Sequence, residues 1–386
     1  MEGKIVVCGG RSNPALVQKV CSYLSITPTP IETVDFSNGN TKVIVAGDVR
    51  SADVFVIQTG ARGGIDNRFF THLSDAKQAA VFEAWRRALK QFRGEQRLFG
   101  RATLDAIEQH FSDLSSLLCN RDFVELLMII DALKTSSAGR ITVVMPYMFY
   151  VRSDKKEESR ISVTARMVAD LLREVGADRV LVMDLHAPQI REYFHPMPTD
   201  QIFAESLFFE FIRLKQLKNI VVVSADEGNL KPSIKAAKLL KTDLVIVHKQ
   251  RHDDSETADV WSVTGQTGVE GKTCLVFDDE LLTFGTLNDA IKALFDLGAA
   301  AVYGFIVHFI ASNKAIELIK RSPISALVTT NTVSFNGRLP KKVQVCDVAP
   351  ILARIIHNIH ADESASTLID QLRTWSLSSG LPFDIY

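Results

Sequence analysis

Short, almost wholly apolar runs rich in β-branched residues recur along this chain, with helical patterns between them. That alternation leaves few folds open. Ile5–Cys8, Val54–Gln58, Arg140–Met145, Val180–Asp184, Ile220–Ser224, Leu244–His248, Thr273–Asp278, Ala301–Val307 and Ala326–Thr330 each read as a strand. Near-continuous apolar character fits sheets covered on both faces. Val163–Val175, Ile234–Leu240 and Asn288–Leu297 carry the spacing of amphipathic helices and end near Gly or a basic residue. The pattern predicts an α/β protein with mostly parallel sheets. A chain of 386 residues is expected to hold more than one domain, and the content divides evenly near 200–205, giving halves 1–203 and 204–386. The stretch 70–118 differs: it holds no strand pattern, and Gln78–Phe92 and Leu104–Leu118 read as helices with basic residues between them. It is expected to be a helical insertion in the first half. The tail Ser376–Tyr386 is expected to lie outside the core.

Composition removes several function classes. Hydrophobic residues at 46% and charged residues at 23% exclude a largely disordered chain. Lys and Arg number 44 against 45 Asp and Glu, so no bulk positive charge draws the chain to nucleic acid. No apolar run approaches the ~18 residues a bilayer span needs, and the sequence from Met1 to Val7 leads directly into the first strand, so neither a membrane partner nor a targeting segment is expected. Cys8, Cys21, Cys119, Cys274 and Cys346 are scattered and form no CxxC pair. That argues against a zinc site or a disulfide framework and for a reducing, cytoplasmic setting.

Polar residues gather where strands end. Leu275-Val276-Phe277-Asp278-Asp279 runs from a buried strand into two carboxylates, and Thr283-Phe284-Gly285-Thr286 then opens a helix. Ligands of open parallel sheets bind at the carboxyl ends of strands, and hydroxyls with free N–H groups at a helix N-terminus hold anions. Adjacent acids suit sugar hydroxyls or a magnesium-bound sugar. The pair fits a ribose 5-phosphate, acids on the ribose and Thr-x-Gly-Thr on the phosphate; an acidic strand end with an ordinary helix cap would have the same sequence. Met183-Asp184-Leu185-His186, Val223-Ser224-Ala225-Asp226-Glu227-Gly228 and Val247-His248-Lys249-Gln250-Arg251 repeat the motif of strand then polar residues. His186 beside Asp184 suits a metal or phosphate, or a structural histidine. Lys249 and Arg251, two apart in extended chain, point the same way and suit a transferring phosphoryl group or a solvated basic turn. The charged segment Arg152–Arg160 reads as solvated loop or as a lid over phosphates.

In this order the pieces resemble the ribose-phosphate pyrophosphokinase (phosphoribosyl pyrophosphate, PRPP, synthetase) family over nearly the whole chain apart from the insertion and the last residues. The block from Tyr150-Val151-Arg152-Ser153-Asp154-Lys155-Lys156 to Met183-Asp184-Leu185-His186-Ala187-Pro188-Gln189 carries most of the likeness, with Asp35-Phe36-Ser37-Asn38-Gly39-Asn40, Gln58-Thr59-Gly60 and Thr329-Thr330-Asn331-Thr332 beside it. The resemblance implies two phosphoribosyltransferase-like domains, a homo-oligomer built from dimers and often hexameric, and transfer of the ATP β,γ-diphosphate to the 1-hydroxyl of ribose 5-phosphate. By position it implies Asp278 and Asp279 on the ribose and Thr283, Phe284, Gly285 and Thr286 around the 5-phosphate. It implies His186 and Asp226 at Mg2+, and Lys249 and Arg251 on the diphosphoryl group in flight. Arg152, with Ser153 and Asp154 beside it, would meet ATP, and Phe36, Asn38 and Asn40 the adenine in a neighbouring subunit's site. Departures exist. Leu282 stands where the family usually carries a third Asp, and Glu227 and Asn229 alter the segment after Asp226. These departures keep two alternatives open: the same chemistry on another 5-phosphoribosyl acceptor such as ADP-ribose, or a catalytically weak regulatory subunit of PRPP synthetase.

Overall fold

The computed structural model describes residues 3–63, 102–224, 230–250, 260–265, 267–335 and 337–373. The expected helix Gln78–Phe92, the tail Ser376–Tyr386, Asp226 and Arg251 lie outside the described residues, and Lys249 is described by its backbone alone.

The first half is built on a wholly parallel sheet. Its strands β1 (Ile5–Gly9), β4 (Asp53–Ile57), β6 (Arg140–Met145), β7 (Arg179–Met183) and β8 (Thr199–Ile202) lie side by side in that order. A separate antiparallel hairpin, β2 (Ile31–Asp35) and β3 (Thr41–Val45), stands off this sheet. The two-residue strand β5 (Arg62–Gly63) follows β4. The second sheet holds β9 (Ile220–Ser224), β10 (Leu244–Gln250), β11 (Val260–Gly265), β12 (Thr273–Leu281), β13 (Ala301–Phe309), β14 (Ala326–Thr330) and β16 (Val343–Cys346), ordered β11-β10-β9-β12-β13-β14-β16. Every pair is parallel except β10 with β11. From β9 the chain winds outward through β10, while β12 begins the winding the other way. The order therefore reverses between β9 and β12, the kind of crevice in which open α/β sheets hold ligands. The short strand β15 (Ser334–Phe335) pairs with β5, joining the two halves.

Helix α1 (Pro14–Tyr23) starts at Asn13, whose Oδ1 accepts from Leu16 N at 3.3 Å, with Pro14 in the first turn where its missing N–H costs nothing. Helix α2 (Ala102–Thr135) contains the predicted Leu104–Leu118 helix and continues beyond it for more than four turns. Leu126, Ile129, Ile130 and Leu133 fall on one face of that continuation and are fully buried. The remaining helices are α3 (Thr164–Glu174), α4 (Glu205–Leu214), α5 (Leu230–Leu240), α6 (Gly285–Asp296), α7 (Asn313–Arg321), α8 (Ala349–His360) and α9 (Ala365–Arg373), with a 3-10 helix over Pro188–Phe194. Between α8 and α9 the chain turns at Asp362, φ 54°.

One apolar core spans both sheets. It joins Val7, Phe55, Ile57 and Leu181 of the first sheet to Leu275, Phe277 and Phe305 of the second through α1, α4, α8 and α9. Phe277 and Phe305 are register partners on β12 and β13, and their rings stack at 4.9 Å; Phe208 of α4 packs on Phe305 at 5.5 Å. Each large apolar side chain buried in this way contributes about 1.5–3 kcal/mol. Cys8, Cys21, Cys274 and Cys346 are buried in these cores, Cys119 is half-buried, and all five are unpaired. Among the described residues no helix is long and apolar enough to cross a membrane.

Candidate active site

The carboxyl ends of the two sheets meet. Thr59 Oγ1, just past β4, donates to Thr332 O at 2.9 Å, and Ser334 Oγ donates to Ser12 O, after β1, at 2.7 Å. His308, near the end of β13, faces the other half, its Nε2 donating to Asp184 O after β7 at 3.2 Å while Nδ1 lies 3.0 Å from Thr332 Oγ1. Full burial pushes its imidazole down to about 4, so it is neutral at physiological pH.

Strand β12 runs three residues further than its apolar pattern predicts. Asp279, Glu280 and Leu281 therefore lie within the strand and not beyond it, because β13 is equally long and pairs Glu280 with His308 and Leu281 with Phe309. The extension carries the acids to the first half. Nδ1 of His186 donates to Asp279 Oδ2 at 2.6 Å. That hydrogen bond raises the His186 pKa. Burial opposes ionisation of Asp279, yet chiefly the bond from His186 holds its pKa below the usual value. Glu280 is buried, accepts from Tyr147 Oη at 2.8 Å and lies 2.9 Å from Arg152 Nε. Burial raises its pKa. Tyr147 is seated by Gly60, whose N donates to Tyr147 O at 2.8 Å; a Cβ at Gly60 would meet Phe149 N at 2.6 Å, so a side chain there would drive the two strand ends apart. Asp184, half-buried, is pushed up to about 8 by desolvation while its Oδ2 accepts from Ala204 N at 2.7 Å.

Beyond β12 the chain turns into α6. Phe284 caps this helix in the left-handed region, φ 63°, with its ring buried, so only its backbone faces a ligand. A bulky residue at that φ is strained, as is common where a loop is held for function. Thr283 and Thr286 are exposed, and a Cβ at Gly285 would meet nothing within 4 Å. Open space in front of free helix-end N–H groups is what an anion needs. Leu282 is exposed, and its carbonyl accepts from Ser312 N at 3.1 Å.

The loop after β6 is pinned at its root. Ser153 Oγ donates to Ser162 O at 3.0 Å and its carbonyl accepts from Ala165 N, which closes the segment onto α3. Asp154 is buried, accepting from Gln189 Nε2 at 2.6 Å and, at its carbonyl, from Tyr193 Oη. Lys155–Ile161 are exposed. Phe36, Asn38 and Asn40 stand on the exposed tip of the β2–β3 hairpin, whose anchoring bonds run elsewhere. Arg11 is bound to Asp35 at 2.6 Å and to Glu125 of α2 at 2.9 Å, and Glu125 also accepts from Thr33 and Gln58.

The structure thus brings His186, Asp279 and Arg152 together and places Asp278 and Thr283–Thr286 on the same strand end. The carboxyl ends of β9 and β10, which lead to Asp226 and to Lys249–Arg251, share that edge of the sheet. Tyr147, Glu280 and His308 were not foreseen from sequence. Glu280 stood in the acidic run beside Asp278 and Asp279 and could have been taken with them; nothing local marks Tyr147.

Two sheets that face each other at their carboxyl ends, with an acidic strand end and a helix N-terminus at the switch point, define a two-lobed α/β enzyme of phosphoribosyltransferase-like fold. Comparison with known proteins narrows that class. A family model for the N-terminal domain of ribose phosphate pyrophosphokinase matches residues 5–81 and 112–176, and one for the phosphoribosyl synthetase-associated domain matches 259–370. A ribose-phosphate pyrophosphokinase of Deinococcus radiodurans is 33% identical over 370 residues, covering 94% of this chain and 97% of the relative. Ribose-phosphate pyrophosphokinase 4 of Saccharomyces cerevisiae is 33% identical over 365 residues, 94% of each chain. The crystal structure of phosphoribosylpyrophosphate synthetase from Mycobacterium smegmatis superposes with a TM-score of 0.71 at 28% identity, over 93% of this chain and 99% of that one. The chain belongs to the ribose-phosphate pyrophosphokinase family.

Proposed function

We propose that this protein transfers the β,γ-diphosphoryl group of ATP to the 1-hydroxyl of ribose 5-phosphate, releasing AMP and PRPP. The observation that carries the reading is the joining of Arg152, from one half, to the acidic end of β12, from the other, directly before the open helix end at Gly285. Asp278 and Asp279 hold the ribose hydroxyls. Thr283, Thr286 and the N–H groups of Phe284, Gly285 and Thr286 hold the 5-phosphate. ATP lies between the halves, with Arg152 on its phosphates and Lys249 and Arg251 on the charge that builds during transfer. The ribose 1-oxygen attacks the β-phosphorus in line, the bond from that phosphorus to the α–β bridging oxygen breaks, AMP leaves with that oxygen, and the hydroxyl proton is released. Catalysis by this chain is positioning and charge neutralisation. Closure of the exposed loop 155–161 excludes water, which would otherwise take the diphosphoryl group.

Among the described residues no three His, Cys, Asp or Glu side chains form a metal cage. One imidazole with one carboxylate still fits Mg2+, which binds through one or two protein groups plus waters and substrate phosphates. His186 and Asp226 would hold it, and it would neutralise phosphate charge. The hairpin tip, with Phe36, Asn38 and Asn40 turned to solvent, would complete a neighbouring subunit's adenine site in a homo-oligomer built from dimers. The test is AMP release from ATP, magnesium and phosphate, with and without ribose 5-phosphate, and mass spectrometry of the product. AMP that depends on ribose 5-phosphate, with a PRPP mass, is the expected result. No such AMP overturns the reading, and a repeat with ADP-ribose then identifies a changed acceptor.

A further inference from the structure

Glu280 is unlike its two acidic neighbours. Asp278 and Asp279 are partly exposed at the mouth, whereas the Glu280 side chain is 5% exposed and lies in the seam between the halves. A buried carboxylate must be matched by donors or its desolvation goes uncompensated. Its Oε2 is matched by Tyr147 Oη. Its Oε1 is not matched in that way: Arg152 Nε lies 2.9 Å off as an ion-pair contact, yet no aligned hydrogen bond reaches this buried atom. The Arg152 side chain is 60% exposed. Glu280 thus engages the guanidinium at Nε, and most of the Arg152 side chain stays exposed.

The structure assigns Glu280 as a positioning residue that orients Arg152 for the phosphates of the nucleotide. An arginine on a loop samples many rotamers, and the entropy of fixing them counts against binding. A carboxylate fixed in the seam by Tyr147 and by the β12–β13 ladder selects the rotamers that keep Nε over Oε1. Guanidinium geometry is planar, so holding Nε also fixes the direction of the two Nη groups. The unfilled hydrogen bond at Oε1 gives the arginine a place to settle when the loop closes, and closure over an anion neutralises the side of the guanidinium that Glu280 does not touch. The assignment rests on the proposed role of Arg152 at ATP.

The test is a double-mutant cycle with Glu280→Gln and Arg152→Ala, read in the KM for ATP and for ribose 5-phosphate and in the equilibrium dissociation constant of ATP with magnesium. Gln keeps an acceptor for Tyr147 and removes the charge from Arg152. E280Q is expected to raise both the KM and the dissociation constant for ATP about five- to ten-fold, to leave the KM for ribose 5-phosphate within about two-fold, and to add nothing in the R152A background. A purely structural glutamate would weaken the protein alike in both backgrounds. Should E280Q not fold, Glu280→Met, which fills similar space without polar atoms, carries the same expectation. Unchanged ATP affinity in E280Q, or an equal loss in the R152A background, overturns the assignment. An inactive wild type that still binds ATP and shows the coupling overturns the proposed reaction and leaves Glu280 in its role; a wild type that binds no ATP overturns both.

Discussion

Removal of Arg11 tests how the β2–β3 hairpin is held. Glu125 of α2 has a fully buried side chain and gathers Arg11 Nε at 2.9 Å, Arg11 N at 3.2 Å, Thr33 Oγ1 at 3.0 Å and Gln58 Nε2 at 3.2 Å. Among the described residues, Arg11→Ala leaves that carboxylate with no ion-pair partner, and the nearby charge of Arg62 is already paired to Asp122. Breaking a buried pair from one side costs about 3–5 kcal/mol, and the surviving donors from Thr33, Gln58 and the backbone place the cost near ~3 kcal/mol. The second contact of Arg11 is with Asp35, whose side chain is 42% exposed and whose pKa is lowered mainly by the hydrogen bond from Arg11. That partner is worth less than about 1 kcal/mol. Arg11→Ala is therefore expected to lower the thermal midpoint by roughly 6–12 °C, taking 2–4 °C per kcal/mol for a unit of some 200 residues. Asp35→Asn is expected to shift it by no more than roughly 2–4 °C. Adding Glu125→Leu to the Arg11→Ala variant is expected to recover part of the loss, since it removes the stranded charge. Calorimetric scans at one rate compare the four proteins. Equal shifts for Arg11→Ala and Asp35→Asn, or a deeper loss in the double variant, would show that the buried pair with Glu125 is not what holds the hairpin.

Three further outcomes follow from the same geometry. Lys249→Ala is expected to lower kcat by about 10²–10³ while the KM for ATP moves far less, and an unchanged kcat would remove Lys249 from the reaction. Gly285→Ala is expected to leave the thermal midpoint nearly unchanged, because its Cβ meets nothing within 4 Å, yet to raise the KM for ribose 5-phosphate by intruding on the phosphate; an unaltered KM would show that the phosphate lies elsewhere. His308 has a folded pKa of about 4, below the ~6.5 of an unfolded imidazole, so the unfolded chain binds the extra proton between these values. Its contribution is complete above ~6.5 and falls by on the order of 3 kcal/mol as pH drops toward 4. A His308→Gln variant with the same loss between pH 7 and pH 4.5 as the wild type would falsify that origin of acid sensitivity.

Much of the fold was legible because buried parallel strands have a strong sequence pattern. Arg140–Met145, Ile220–Ser224 and Ala326–Thr330 are strands over the very residues their apolar runs span. Each is covered on both faces, so nearly every side chain must be apolar whatever its neighbours are. The hairpin strands Ile31–Asp35 and Thr41–Val45 carried no such pattern, since they stand off the main sheet and none of their residues is fully buried. The long continuation of α2 is amphipathic, yet its buried face includes Asp122 and Glu125, whose matching cations Arg62 and Arg11 come from distant parts of the chain. The apolar strand runs, the acids at the end of β12 and the Thr-x-Gly-Thr turn are legible in the sequence, because all of these are local. That β12 runs on to meet the other half is a matter of packing. Strand length there is set by the ladder to β13, and the partners of Asp279 and Glu280 are His186, Tyr147 and Arg152, some 90 to 130 residues away in the chain. A carboxylate's role depends on which cation or hydroxyl packing brings to it, and packing across that distance leaves no local mark.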